Sequence, residues 1–291
     1  IQQAVETALR RDTDGRATTV KLGGMFAVEK PRTSNASATP FAEASQAPLL
    51  RIGLLTTARI SASAIISPIV GDPSLAQIVA VAARDPARAA KWADMIAATV
   101  HVPHESKPHV FPDYMSLLGS PDVDAVYIPL PTSLHYQWIE HAIGYGKHIL
   151  VEKPFAANSH EVRRLTELAT TKGVVLMEGM HPYYHPLRER MRTVVASGAI
   201  GAVLSLSVKF TLLFDEETKR SNSRYSRELA GGSTLDIGGY SMSCLCALMG
   251  GEVATVKSNP RGHTVALLAH AAFGCKCAVF HTIDGHESGP P

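Results

Sequence analysis

Charge is scarce in this chain: Asp, Glu, Lys and Arg make up 19% of its 291 residues, against about 25% in ordinary globular proteins. A surface so poor in charge is one that a partner subunit would cover. The 28 basic and 26 acidic side chains nearly cancel, to +2, which excludes the polybasic surface that nucleic acid or anionic lipid requires. No apolar run reaches the ~18 residues that span a bilayer. Residues 1–48 also lack the basic-then-apolar plan of a secretory signal. Arg10, Arg11 and Arg16 mix there with Glu6, Asp12 and Asp14, which fits a transit peptide poorly. The expected address is cytoplasmic. No repeat and no low-complexity tract occurs.

Cysteine is also rare, with two pairs, Cys244/Cys246 and Cys275/Cys277. A zinc site would need thiolates converging tetrahedrally. The first pair lies in SMSCLCALMG, which reads as helix, where positions i and i+2 diverge. The second pair reads as one face of a strand. Buried free thiols and no metal site are the expectation.

What is plentiful is apolar material, 45% of the chain, with mean hydropathy +0.05. That supports a sizeable core, and a mass of 31.1 kDa suits two domains. The span from Ile1 to Pro290-Pro291 reads as part of a longer protein. A short helix (QQAVETALRR) and a Pro/Ser/Ala-rich linker occupy residues 1–48.

From Leu49 onward, strands and helices alternate. Strand readings fall at 49–55, 77–83, near Val110, and at 124–130, 147–152 and 174–178. Between them lie helical stretches: RISASAIISPIV, 86–98, 113–119, 134–146 and 159–173. Short apolar strands alternating with helices predict a doubly wound parallel sheet covered on both faces. After residue 180 the plan changes. A helix at 185–198 precedes a long strand at 203–214, a Gly-rich turn and helix at 231–249, and strands near 263–273 and 276–283. This predicts an α+β domain with an open, mostly antiparallel sheet over 181–291, after a nucleotide-binding domain over 49–180.

The first strand–helix turn is GLLTTARIS, with Thr56, Ala58 and Ser61 where a dinucleotide fingerprint places glycines. Small residues keep the backbone open to a pyrophosphate, so Thr56, Ala58, Arg59 and Ile60 are cofactor-contact candidates, against an ordinary βα turn. The second strand ends in Ala-Ala-Arg-Asp. Arg84 suits a 2′-phosphate and therefore NADP over NAD, while Asp85 either binds a ribose or caps the next helix. The DAVYIPL strand leads to Pro131 and His135, at the edge where open α/β sheets bind ligands, though His135 could simply open a helix. The next strand ends in Val-Glu-Lys-Pro, which puts Glu152 and Lys153 at the same edge, and a partly desolvated lysine there suits proton transfer. In GGSTLDIGGY, Asp236 and Tyr240 are four apart and would share one helical face, which completes a lysine, carboxylate and phenol set. Each also has a plainer reading, as a helix cap and a core aromatic.

In this order, AARD, YIPLPTSLH, GKHILVEKP and GGSTLDIGGY resemble the Gfo/Idh/MocA oxidoreductase family, over residues 50–285. The nearest likeness is to its NADP-dependent dihydrodiol and D-xylose dehydrogenase branch. The resemblance implies a Rossmann domain followed by an open-sheet domain that makes the subunit contact, hence a homodimer of the full-length protein. It implies NADP, a small-molecule sugar or cyclic vicinal diol as substrate, and Lys153, Asp236 and Tyr240 flanking its carbinol. It also implies closing strands beyond this chain. The span alone is then expected to bind NADP with little turnover and to leave a sheet edge unpaired near 203–214 or 276–283. Tyr183 stands where the branch carries Arg. A non-catalytic NADP-binding regulator and chemistry on a retained cofactor are the rival readings.

Overall fold

The computed structural model describes residues 49–74, 76–99, 107–203, 205–212, 222–249, 255–259, 268–273 and 276–284, so the extension over 1–48 and Cys275 lie outside the described residues. Six strands build the first sheet: β1 (Leu50–Leu55), β2 (Ala76–Ala82), β3 (His109–Phe111), β4 (Ala125–Ile128), β5 (His148–Val151) and β6 (Leu176–Glu178). Their order is β3-β2-β1-β4-β5-β6 and every pairing is parallel. That is the order of doubly wound dinucleotide-binding sheets, with the crevice where the winding reverses between β1 and β4.

Alternation along each strand divides the core into two layers. Val126 and Ile128 join one cluster, and Ala125 and Tyr127 join the other. The first layer packs under α3 (Tyr114–Leu118), α4 (His135–Gly144) and α5 (Ser159–Lys172), through Leu117, Ile139, Ile143 and Leu165. The second lies under a π-helical turn (Ala62–Ile66), α1 (Ser67–Gly71) and α2 (Pro86–Thr99), through Ile66, Ile69, Ala89 and Ile96. Helix ends follow local chemistry. Asn158 accepts from His160 N and Glu161 N at the start of α5, and Gly173 ends that helix at φ +67°.

After β6 come α6 (Pro186–Ala196), β7 (Ser205–Leu212), α7 (Ser233–Asp236), α8 (Gly238–Met249), β8 (Thr255–Asn259), β9 (Leu268–Phe273) and β10 (Lys276–Asp284). The second sheet has the order β7-β10-β9-β8. β10 runs parallel to β7 and antiparallel to β9, and β8 pairs antiparallel with β9. Three expectations change here. β8 has no counterpart in the sequence reading, because TVKSN alternates weakly. The stretch 276–283 is no edge, since β10 is paired on both sides and β7 and β8 are the outer strands. The one helix expected after the Gly-rich turn within 231–249 is two, broken at Ile237. α8 lies against both β7 and β10 of this sheet.

Candidate active site

At the β1 turn, Thr56 adopts φ +89°, the region that glycine enters freely and a β-branched residue enters only under strain. The turn therefore keeps the fingerprint's first backbone conformation without its glycine. Thr56 N donates to Ala82 O at 2.7 Å, which ties the turn to β2. Arg88 of α2 donates from Nη2 to Thr57 O at 2.9 Å, a clamp that the sequence reading missed. Ser61 closes the turn onto Ala58 O, and its buried Oγ has no partner among the described residues. Ala58 is half-buried, and Arg59 and Ile60 are exposed. A strained glycine-like turn with an orphan hydroxyl fits a dinucleotide phosphate.

At the end of β2, Arg84 is exposed. Asp85 takes the helix-cap reading, with Oδ1 accepting from Ala87 N at 3.0 Å and Arg88 N at 3.3 Å. Pro131 lies half-buried past β4, at a 3-10 turn (Thr132–Leu134). His135 differs from its expected place at the ligand edge. It is 1% exposed, with Nε2 2.8 Å from Leu130 O and Nδ1 2.9 Å from Pro154 O. Both ring nitrogens thus face backbone carbonyls of the protein, and since burial holds the imidazole below its ordinary pKa, the neutral ring donates its single N–H to one side. His135 ties the end of β4 to the loop after β5, and its plainer reading as a helix opener holds.

Glu152 likewise turns inward. Its Oε1 accepts from Tyr127 OH at 2.7 Å, and burial, together with that carboxylate, pushes the phenol's pKa up. Glu178 accepts from Phe155 N at 2.8 Å, and burial raises its pKa. The Lys153–Pro154 peptide bond is cis. Between these acids Lys153 projects into the site, and its Nζ donates to Oδ1 and to the backbone O of Asp236, each at 2.6 Å. Both side chains are largely buried, 12% and 14% exposed. Nζ also lies 5.0 Å from the centroid of the Tyr240 ring. Lys153, Asp236 and Tyr240 therefore do meet, although Asp236 ends α7 and Tyr240 belongs to α8. The premise of one continuous helical face was incorrect.

Three further residues surround this set. His181 and Phe210 each place a ring 5.4 Å from that of Tyr240. Arg224 donates from Nε to Asp236 Oδ1 at 3.1 Å. His181 lies two residues before Tyr183, whereas Phe210 and Arg224 carried no local signal. Burial raises the Tyr240 pKa, and Glu152 and Asp236 add to the effect, so the phenol stays protonated at neutral pH. At Tyr183, where the branch was expected to carry Arg, the guanidinium of Arg188 covers the ring at 4.7 Å. Cys244 and Cys246 are free thiols, but against the expectation of burial Cys244 is only half-buried and Cys246 is exposed. Among the described residues no three His, Cys, Asp or Glu side chains gather as metal ligands, and no helix is long and apolar enough to cross a membrane.

Comparisons with known proteins agree with this geometry. Residues 50–180 match the oxidoreductase family with an NAD-binding Rossmann fold, and residues 189–270 match the GFO/IDH/MocA C-terminal domain. A dTDP-3,4-didehydro-2,6-dideoxy-alpha-D-glucose 3-reductase of Streptomyces antibioticus is 33% identical over 206 residues, 71% of this chain and 58% of that protein. A D-xylose 1-dehydrogenase (NADP(+)) of Haloferax volcanii is 34% identical over 201 residues, 69% of this chain and 58% of that one. The chain thus spans less than two thirds of these relatives. The crystal structure of KijD10, a 3-ketoreductase from Actinomadura kijaniata in complex with NADP and TDP-benzene, superposes with a TM-score of 0.70 at 26% identity, covering 82% of this chain and 71% of that one. Two domain matches in the right order, around a lysine, carboxylate and phenol at the crevice, place this chain in the Gfo/Idh/MocA oxidoreductase family.

Proposed function

We propose that this protein is an NADP-dependent oxidoreductase that moves a hydride between a sugar or cyclic diol carbinol and the nicotinamide. The observation that carries this reading is the Lys153–Asp236 pair, which joins the edge of the first sheet to α7 with Tyr240 beside it. The β1 turn and Arg84 would hold the nucleotide, with Pro131 at the adjoining edge. The bound cofactor supplies or accepts the hydride. Asp236 anchors Lys153, leaving the ammonium one further N–H for the reacting oxygen. Tyr240, kept protonated by its surroundings, gives its proton to a carbonyl oxygen in reduction and takes it back in oxidation. Positioning of carbinol and nicotinamide in the crevice supplies much of the acceleration.

The ketosugar reductases among the relatives support the reducing direction. A nucleotide-linked ketosugar therefore joins the neutral sugars and diols as a candidate substrate. The division into a nucleotide unit over 49–180 and a substrate unit over 181–291, with assembly as a homodimer through the second, belongs to the same reading. A panel of sugars, cyclic diols and ketosugars, run on a catalytically complete form of the protein and followed by NADPH absorbance, tests it. Turnover dependent on NADP or NADPH is expected. Tight NADP binding without turnover of any carbinol or ketone would instead favour a regulatory protein.

A further inference from the structure

Residues 222–232 form a strap whose main feature the chemistry above leaves unused. A 3-10 turn (Ser223–Tyr225) opens it, and Asn222 accepts from Arg224 N at 3.1 Å. The strap then folds back on the glycines before α7, with Gly232 N donating to Arg224 O at 2.7 Å and Gly231 N to Ser226 O at 2.8 Å. A Cβ at Gly231 would sit 2.5 Å from Arg224 O and 2.6 Å from Ser223 O, so only glycine permits this crossing. Ser133 N, from the edge of the first sheet, donates to Leu229 O at 3.3 Å and fixes the strap's far end.

The crossing delivers the Arg224 guanidinium to one oxygen of Asp236, the same Oδ1 that Lys153 holds. One largely buried carboxylate thereby lies between two cations. Around Tyr240 the charged or titratable groups are Glu152 and Lys153 from the end of β5, Glu178 from β6, His181 from the turn after it, Asp236 from α7 and Arg224 from the strap. Three of these are acids.

We propose that Arg224 is a positioning residue for the Tyr240 chemistry: set by the Gly231 crossing, it fixes the Asp236 carboxylate and offsets the negative charge that the phenol faces. The inference rests on the reading that Lys153, Asp236 and Tyr240 handle the proton. Its physical basis is that Glu152, Asp236 and Glu178 each favour the protonated phenol, whereas Arg224 opposes them. Without the guanidinium those acids are less offset and the carboxylate loses one of its two anchors.

The test is the pH dependence of kcat in the oxidative direction, on the substrate found by the panel, with KM, NADP affinity and thermal midpoint measured alongside. Arg224→Ala is expected to move the rising limb of the profile to higher pH and to lower kcat about tenfold on that limb, roughly one pH unit of displacement. KM and NADP affinity should stay within about twofold, because positioning acts on the transition state. Arg224→Lys should recover part of the displacement. Gly231→Ala, which keeps the guanidinium but crowds the crossing, should displace the limb in the same direction. An unmoved limb in Arg224→Ala, or a rise in KM with kcat intact, would overturn the inference. Tyr240→Phe, run in parallel, separates the two levels: loss of the limb there with an unmoved limb in Arg224→Ala refutes this inference alone, whereas a limb that survives Tyr240→Phe refutes the reading beneath it.

Discussion

Arg84 is exposed two residues beyond the end of β2, while its neighbour Asp85 commits its carboxylate to the start of α2. A ribose 2′-phosphate would therefore meet a guanidinium with no competing acid directed at it. NADP is expected to bind at least ~10-fold more tightly than NAD, about 1.4 kcal/mol, and Arg84→Ala should erase most of that preference in fluorescence titrations of both nucleotides. A wild-type preference for NAD would contradict this. At this scale the sequence was informative where a residue type could do only one thing. Lys153 next to Pro154, and Tyr240 four residues after Asp236, stood out because ammonium and phenol are the groups proton transfer uses. It was uninformative for side chains that act through another residue. Tyr127 reads as one more strand aromatic until its hydroxyl is found on Glu152, and Arg224 reads as loop charge until the Gly231 crossing brings it to Asp236.

Loops after strands carry the site, and buried polar contacts hold them. His135 joins Leu130 to the Pro154–Phe155 loop that presents Lys153. Replacing it by Ala removes the one hydrogen bond that the neutral ring can donate to these buried carbonyls, at about 1–3 kcal/mol, and lets the lysine loop shift, so His135→Ala should lose both thermal stability and kcat. An unchanged melting midpoint would contradict the tie. At the opposite edge of the sheet, Arg51 of β1 grips Asp124 ahead of β4 through Nε and Nη2, at 2.9 and 2.7 Å. That hydrogen bonding holds the carboxyl at about 2, against its ordinary 3.8. A folded-state pKa below the unfolded one gives stability that is present above the ordinary range and lost as pH falls toward 2. Asp124→Asn should therefore lower the melting midpoint modestly at neutral pH, with the gap to wild type closing between about pH 4 and pH 2. A gap that persists in acid would contradict the assignment. The elements themselves were largely legible, because the six short apolar strands and their helices follow periodicity. The break at Ile237 and the strand β8 were not: GGSTLDIGGY carries no proline to mark the break, and TVKSN has too few apolar positions to alternate.

The Lys153–Asp236 ion pair joins the edge of the first sheet to α7, and the proposed chemistry depends on that junction. The first sheet brings the turn, Arg84 and Lys153 to its carboxyl edge, and the second unit supplies Asp236, Tyr240 and Phe210. Sequence pattern could announce each half, because each has its own periodicity and motif. It could not show that Asp236 would close on Lys153 across 83 positions of chain, since no local rule couples residues so far apart. The order of the second sheet, with β10 inside rather than at an edge, was hidden for the same reason. The central claim is that this junction performs the proton transfer accompanying hydride movement. Its most direct test uses a catalytically complete form of the protein and follows NADPH absorbance in wild type, Lys153→Ala, Tyr240→Phe and the double variant, with NADP titrated into each. Each single change should lower kcat by ~10²–10⁴, the double should lose less than the product of the two, and Tyr240→Phe should bind NADP within about twofold of wild type. Near-normal turnover in both single variants would contradict the account.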